Sequence, residues 1–78
     1  MRKPRFPDVV QVTRSIPEHG LSVGDRGTIV MEYDIPGEAY EVEFSDDFGE
    51  TIVMTALTPD QFDVVIPYDV GVTQRTGE

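Results

Sequence analysis

Eight acidic residues lie within nineteen positions of this chain, in a stretch that contains neither lysine nor arginine. They are Glu32, Asp34, Glu38, Glu41, Glu43, Asp46, Asp47 and Glu50. The whole chain of 78 residues carries 15 acidic and 6 basic side chains, a formal net charge of −9. A surface of this kind either keeps a small protein soluble or docks a basic partner, because complementary potentials speed encounter and set orientation. We expect contacts to a basic protein surface from Glu41, Glu43, Asp46, Asp47 and Phe48.

Carboxylates at these spacings could also serve metal binding or acid–base catalysis, but the pattern argues against both. The segment from Asp46 to Glu50 offers carboxylate oxygens to Ca²⁺ or Mg²⁺, yet it lacks the ligand spacing of an EF-hand loop. Glu41 and Glu43 would share one strand face about 7 Å apart, a separation that glycoside hydrolysis can use. Both would face water, where nothing raises one pKa above the other. The sequence therefore predicts no metal and no cofactor.

The remaining candidate nucleophiles and bases form no catalytic pattern. The chain has no cysteine, which excludes thiolate catalysis and thiolate metal sites. His19 is the only histidine, and a triad needs a nucleophile and an orienting group around it. Neither Ser15 nor Ser22, close to it in sequence, establishes such an arrangement. We expect a protein that is not an enzyme.

Three of the six basic residues, Arg2, Lys3 and Arg5, stand at the N-terminus beside two prolines. Nucleic-acid binding needs a basic surface, so the net charge of −9 argues against it. No stretch approaches the roughly 20 apolar residues of a membrane span, and no apolar run follows the basic N-terminus to make a secretion signal. With no cysteine to form disulfides, the expected location is the cytoplasm.

The elements that must position these side chains are short strands separated by glycine and proline. Residues 39–44 alternate strictly, with Tyr40, Val42 and Phe44 on one face and Glu41 and Glu43 on the other. Further strands are predicted at about 8–14, 28–33, 50–57 and 62–66. Proline after the hydroxyl residue Thr58 predicts one helical turn before the last strand.

Five short strands without a long amphipathic segment favour an all-β fold, a five-stranded SH3-like barrel with a single short helical turn before the last strand. We expect three regions: a basic extended arm at 1–7, the barrel domain at 8–66, and a flexible tail at 67–78. The predicted core is Val10, Val12, Ile29, Tyr40, Val42, Phe44, Ile52 and Val65. Phe48 lies in a polar turn, where it either folds back onto the barrel or anchors a partner.

Four blocks of sequence, in order, resemble a bacterial family. They are Pro17-Glu18-His19-Gly20-Leu21, Val23 to Val30, Ala39 to Phe44, and Leu57-Thr58-Pro59-Asp60-Gln61. The family is domain of unknown function family 4926, and the similarity runs from about Asp8 to Ile66. The segment from Gly24 to Val30 is also similar to the turn and strand of KOW-type and other SH3-like barrels. Family members are small, have no established catalytic residues, and in some cases accompany toxin-like neighbours, which implies an antitoxin or immunity role.

These observations lead to two hypotheses of function. The first is a non-enzymatic binding module that docks a basic protein through the acidic residues, as an antitoxin or immunity protein would. The second is an accessory or regulatory subunit of a larger assembly, recognised through its strand edges and tails. The sequence leaves the oligomeric state open.

Overall fold

The computed structural model describes residues 3–68, which form five β-strands and two 3₁₀ helices. The strands are β1 (Val9–Val12), β2 (Arg26–Tyr33), β3 (Ala39–Ser45), β4 (Thr51–Leu57) and β5 (Phe62–Ile66). The 3₁₀ helices are η1 (Pro17–His19), between β1 and β2, and η2 (Pro59–Gln61), between β4 and β5. The predicted strands and the helical turn before the last strand are confirmed. The turn at η1 was not predicted as helical.

All five strands belong to one antiparallel sheet with the order β4-β3-β2-β1-β5. The predicted closure into a barrel is not observed, because within residues 3–68 no strand pairing joins β4 to β5. The single turn of η2 carries the chain from one edge of the sheet to the other. At η2 the backbone N–H of Thr58 donates to Oε1 of Gln61 at 2.9 Å, which fixes this short connection. The two edges are therefore linked by covalent chain and not by a hydrogen-bonded ladder.

One face of the sheet packs into a single hydrophobic core. Six of the eight predicted core residues are buried: Val10, Val12, Ile29, Tyr40, Val42 and Phe44. Ile16, Leu21, Leu57 and Phe62 complete the buried cluster, and Val53 and Val64 pack against it.

The predictions for Ile52 and Val65 were wrong. Ile52 is 61% exposed, because β4 is apolar on both faces and its register pairs Val53, not Ile52, with buried Phe44. A register shift between Phe44 and Ser45 leaves Ile52 as the extra residue of a bulge. On β5, Phe62 is buried, so alternation directs Val65 away from the core and leaves it only half-buried.

Gly27 allows β2 to approach β3 more closely than any side chain would permit. A Cβ atom built on Gly27 would lie 2.7 Å from Cγ1 of Val42 and 2.8 Å from the carbonyl oxygen of Glu43. On the other side of β2, Gly27 pairs with Val10 of β1. This glycine therefore serves close packing, whereas Gly24 and Gly49 adopt φ angles of 99° and 85° in turns.

The described part of the predicted arm makes hydrogen bonds to the domain. The backbone N–H of Arg5 donates to Oδ2 of Asp8 at 3.0 Å, and that of Phe6 donates to Oε2 of Glu32 at 3.0 Å. Residues 1 and 2 of the arm and 69–78 of the predicted tail lie outside the described residues.

Candidate functional site

Glu41 and Glu43 project from the outer side of β3, opposite the buried face that carries Tyr40, Val42 and Phe44. Each of the two glutamates is half-buried. β3 lies between β2 and β4, so both carboxylates stand in the middle of a three-stranded surface. We call Glu41, Glu43 and the residues directly beside them on β2 and β4 the acidic face. The alternation predicted for this strand is confirmed.

The neighbours of these glutamates are apolar as well as polar. Glu41 stands between Met31 on β2 and Ala56 on β4, and Glu43 stands between Thr28 and Met54. Directly opposed residues in an antiparallel pair lie on the same side of the sheet. Met31 and Met54 are each 53% exposed. The acidic face therefore combines two carboxylates with two thioether side chains that adapt readily to a partner's shape.

Sequence reasoning did not include the two methionines. Met31 meets Glu41 only because the ladder between β2 and β3 shifts register between Ile29 and Met31. Alternation from buried Ile29 would direct Met31 towards the core, and the extra residue at the shift reverses that direction.

Hydroxyl groups hold both carboxylates in place without neutralising them. The Tyr33 hydroxyl donates to Oε1 of Glu41 at 3.0 Å, and the Thr51 hydroxyl donates to Oε2 of Glu43. The hydrogen bond to Glu41 and the negative charge of that carboxylate raise the pKa of Tyr33 above its ordinary value. Among residues 3–68, the side-chain partners of the two glutamates are thus neutral, and their charges remain available.

The turn between β3 and β4 carries the other three predicted contact residues. Oδ1 of Asp46 accepts hydrogen bonds from the backbone N–H groups of Phe48 at 2.9 Å and Glu50 at 3.0 Å. This carboxylate therefore shapes the turn. Asp47 is exposed, and Phe48 is 91% exposed. Of the two alternatives for Phe48, the structure has the exposed one, so an aromatic ring stands at the end of the hairpin that carries Glu41 and Glu43.

A second exposed apolar residue lies at the opposite end of β3. Ile35, in the turn between β2 and β3, is 88% exposed and follows Asp34. Beside this turn, the buried ring of Tyr40 packs edge-on against Phe62, with centroids 5.7 Å apart, and its hydroxyl donates to a carboxylate oxygen of Glu38. Burial and this hydrogen bond raise the pKa of Tyr40 well above its ordinary value.

Two depressions of the described surface are small, and only the first adjoins the acidic face. A groove of about 230 Å³, lined in part by Gly27, Thr28 and Glu43, runs beside β3. Another, of about 160 Å³, lies between Leu21, Phe44 and Ile52. Pockets for small molecules usually measure about 300–1,000 Å³, so these surfaces are better suited to contact with a macromolecule.

Nε2 of His19 lies 3.1 Å from Oγ1 of Thr55 on β4, which places the ring against the sheet. In the part of the chain that the structure describes, no group of three or more histidine, aspartate or glutamate side chains is arranged to hold a metal ion. None of the helices there is long and apolar enough to span a membrane.

A comparison with protein families identifies the family to which this chain belongs. A family model described as a domain of unknown function, DUF4926, matches residues 7–64. This chain belongs to the DUF4926 family. The match includes β1 to β4 and most of β5, so the acidic face lies wholly within the DUF4926 domain. No curated protein and no solved structure matches the chain.

Proposed function

We propose that this DUF4926 protein is a non-enzymatic binding module that docks a basic protein partner through its acidic face. The observation that carries the proposal is the pair Glu41 and Glu43, set side by side between exposed Met31 and Met54. Carboxylates without a counter-ion among the described residues attract a basic surface and orient it. Exposed methionines supply apolar contact of the kind that enriches protein interfaces.

The proposal includes the turn between β3 and β4. Phe48 and Asp47 extend the surface beyond the end of the strands, and aromatic residues frequently anchor partners. Asp46 contributes by shaping this turn through its two backbone hydrogen bonds. The basic partner is a toxin or nuclease in the more specific form of this proposal, with the DUF4926 protein acting as its antitoxin or immunity protein in the cytoplasm. The acidic surface supports a nuclease or toxin as the partner. A protein that binds nucleic acid presents a basic surface, and an acidic face complements it.

We also infer that the fold is of the SH3-like barrel type. The order β4-β3-β2-β1-β5, which sets the last strand beside the first, supports this interpretation. So does the single helical turn of η2 before β5. In such a fold, the outer side of β3 is a solvent-facing wall, which suits a docking surface.

The test begins with isolation of tagged protein from its host at low and at high salt, followed by identification of any stoichiometric basic protein. The association rate with that protein is then measured for the double variant Glu41→Lys/Glu43→Lys. We expect it to fall about tenfold to a hundredfold at low salt. The matched control is Glu18→Lys/Asp63→Lys, which changes the net charge equally at exposed sites outside the acidic face. Equal association rates for the two double variants, or a protein that elutes alone at both salts, would reject the proposal.

A second candidate function is supported by the open sheet. Within residues 3–68, the outer edges of β4 and β5 have no strand partner, which favours an accessory subunit recognised through its edges. Under this alternative, Glu41→Lys/Glu43→Lys leaves the complex intact. Removal of both chain ends is not a suitable test, because the buried carboxylate of Asp8 would lose its hydrogen bonds from Arg5 and Tyr68.

A further inference from the structure

The outer edge of β4 presents unpaired backbone groups. β4 forms its ladder with β3 on one side, and among residues 3–68 no strand lies on the other. Among residues 3–68, no backbone hydrogen bond of a turn or loop involves Thr51–Leu57. In an edge strand, alternate residues direct their N–H and C=O groups away from the sheet, where they can pair with another chain.

The composition of β4 makes this edge unusual for so acidic a protein. Thr51–Leu57 contains no charged residue and no proline, although the chain carries a net charge of −9. The edge strand on the other side of the sheet, β5, includes Asp63 and is followed by Pro67. Edge strands usually carry charges or proline that block pairing with a second sheet. β4 has neither, and its side chains Ile52 and Met54 are 61% and 53% exposed.

We infer that β4 pairs antiparallel with β4 of a second copy of this chain, about a twofold axis at Met54. In this arrangement Met54 meets Met54, Val53 meets Thr55, and Ile52 meets Ala56. No carboxylate faces another, and the outward apolar side chains cover one another. Because the same patch serves both copies, the contact closes as a dimer.

The uncharged composition of β4 favours a second copy over a basic strand from another protein. A basic strand would place its lysine or arginine side chains opposite Ile52, Met54 and Ala56, where β4 offers no carboxylate. In the dimer, the β3 strands of the two copies lie three strand spacings apart, about 14 Å. This exceeds the screening length of about 8 Å at physiological ionic strength. Repulsion between the two acidic faces is therefore weak in salt and strong without it.

The salt dependence separates this inference from the proposed function, and the test needs no partner. Sedimentation equilibrium of the full chain at about 50 mM and about 500 mM NaCl measures the dimer directly. We expect a species of twice the 8.7 kDa chain mass that becomes more populated as salt rises. Docking of a basic protein weakens with salt instead. A monomer at every concentration and both salts would overturn the inference and leave the proposed function standing.

Two methionine variants locate the contact. Met54→Lys places a charge on the twofold axis and should abolish the dimer. Met31→Lys makes the same change at a side chain of equal exposure on β2, two strands from the edge, and should retain it. A dimer that survives Met54→Lys, or one lost equally in both variants, contradicts the inference.

Because the chain has no cysteine, a single introduced cysteine provides an independent test of the β4–β4 register. Opposed residues in an antiparallel pair have Cα atoms about 4.5–5.5 Å apart, within the range for a disulfide. In oxidised glutathione, Met54→Cys should form a covalent dimer at least about tenfold faster than Met31→Cys, since the dimer raises its local concentration. Equal rates would show that Met54 does not lie on the axis. This measurement also decides the matter if Met54→Lys fails to fold.

Discussion

Oδ1 of Asp8 accepts a hydrogen bond from the backbone N–H of Tyr68 at 2.7 Å, across 60 positions of sequence. The Asp8 side chain is fully buried, and its Oδ2 accepts a hydrogen bond from the backbone N–H of Arg5. Its carbonyl oxygen accepts a hydrogen bond from the N–H of Ile29 on β2 at 2.9 Å. One acidic residue thus joins the segment before β1, the second strand and the segment after β5.

Asp8→Asn should lower the free energy of unfolding by about 1–3 kcal/mol, because the amide turns a donor toward a backbone N–H that needs an acceptor. Urea unfolding followed by circular dichroism measures the change. The control is Asp63→Asn at an exposed position on β5, where about 0.5 kcal/mol or less is expected. Equal stability of the two variants would show that the Asp8 hydrogen bonds contribute little.

Gly27→Ala should destabilise the fold by about 1–3 kcal/mol, since the new methyl group would overlap Val42 and the backbone of Glu43. Gly37→Ala is the matched control, because no atom lies within 4 Å of its Cβ position. There the substitution should be neutral or stabilise by up to about 1 kcal/mol. Thermal unfolding of both variants provides the comparison, and a Gly27→Ala protein as stable as the parent would exclude the close approach of β2 and β3.

The strands and most of the core were predictable because apolar and polar side chains alternate strictly along β3, and because glycine or proline residues separate the neighbouring strands. The orientation of β4 was not predictable, since both of its faces are uncharged. One face carries Ile52, Met54 and Ala56, and the other carries Val53, Thr55 and Leu57. Only pairing with β3 selects the inward set. The structural role of Asp8 was hidden for a related reason. Its partners Arg5 and Tyr68 are brought together by the pairing of β1 with β5, which no local pattern encodes.

The candidate site was predictable in its charges but not in its apolar part. The two glutamates of β3 follow from alternation within one strand. Met31 and Met54 join them through cross-strand register, which includes a shift on the β2 side. Closure of the sheet also depends on long-range geometry, and local turn signals predict a one-turn connection without showing whether β4 and β5 exchange hydrogen bonds.

Alkaline pH should destabilise this protein because the buried phenol of Tyr40 ionises more readily in the unfolded chain. Its pKa is raised above the ordinary 10.0 by burial and by its hydrogen bond to Glu38, so the unfolded chain releases the phenol proton first. Its contribution to stability is complete below about pH 10 and is lost as pH rises through the range between the unfolded and folded pKa values. The free energy of unfolding should therefore fall with a slope of up to about 1.4 kcal/mol per pH unit.

Urea unfolding at several pH values between about 9 and 11.5 tests this slope. The free energy of unfolding of Tyr40→Phe should depend less steeply on pH than that of the parent above about pH 10. At neutral pH it should be lower by about 1 kcal/mol, because a hydrogen bond is lost. Tyr33→Phe is the comparison, because Tyr33 also has a raised pKa but is not buried in the core, so its removal should flatten the slope less than removal of the Tyr40 hydroxyl. A Tyr40→Phe slope equal to that of the parent contradicts the assignment.

Phe48→Ser should separate binding from folding. Phe48 is 91% exposed at the end of the hairpin that carries the acidic face, so its removal should change the free energy of unfolding by no more than about 0.5 kcal/mol. As an anchor in the docked complex it should contribute about 2 kcal/mol or more, a loss of affinity of about thirtyfold. Ile35→Ser removes an equally exposed side chain at the opposite end of β3, and we expect it to leave affinity within about threefold. Titration calorimetry with the isolated basic partner measures both variants, and equal losses would show that the partner contacts the whole length of β3 rather than the end marked by Phe48.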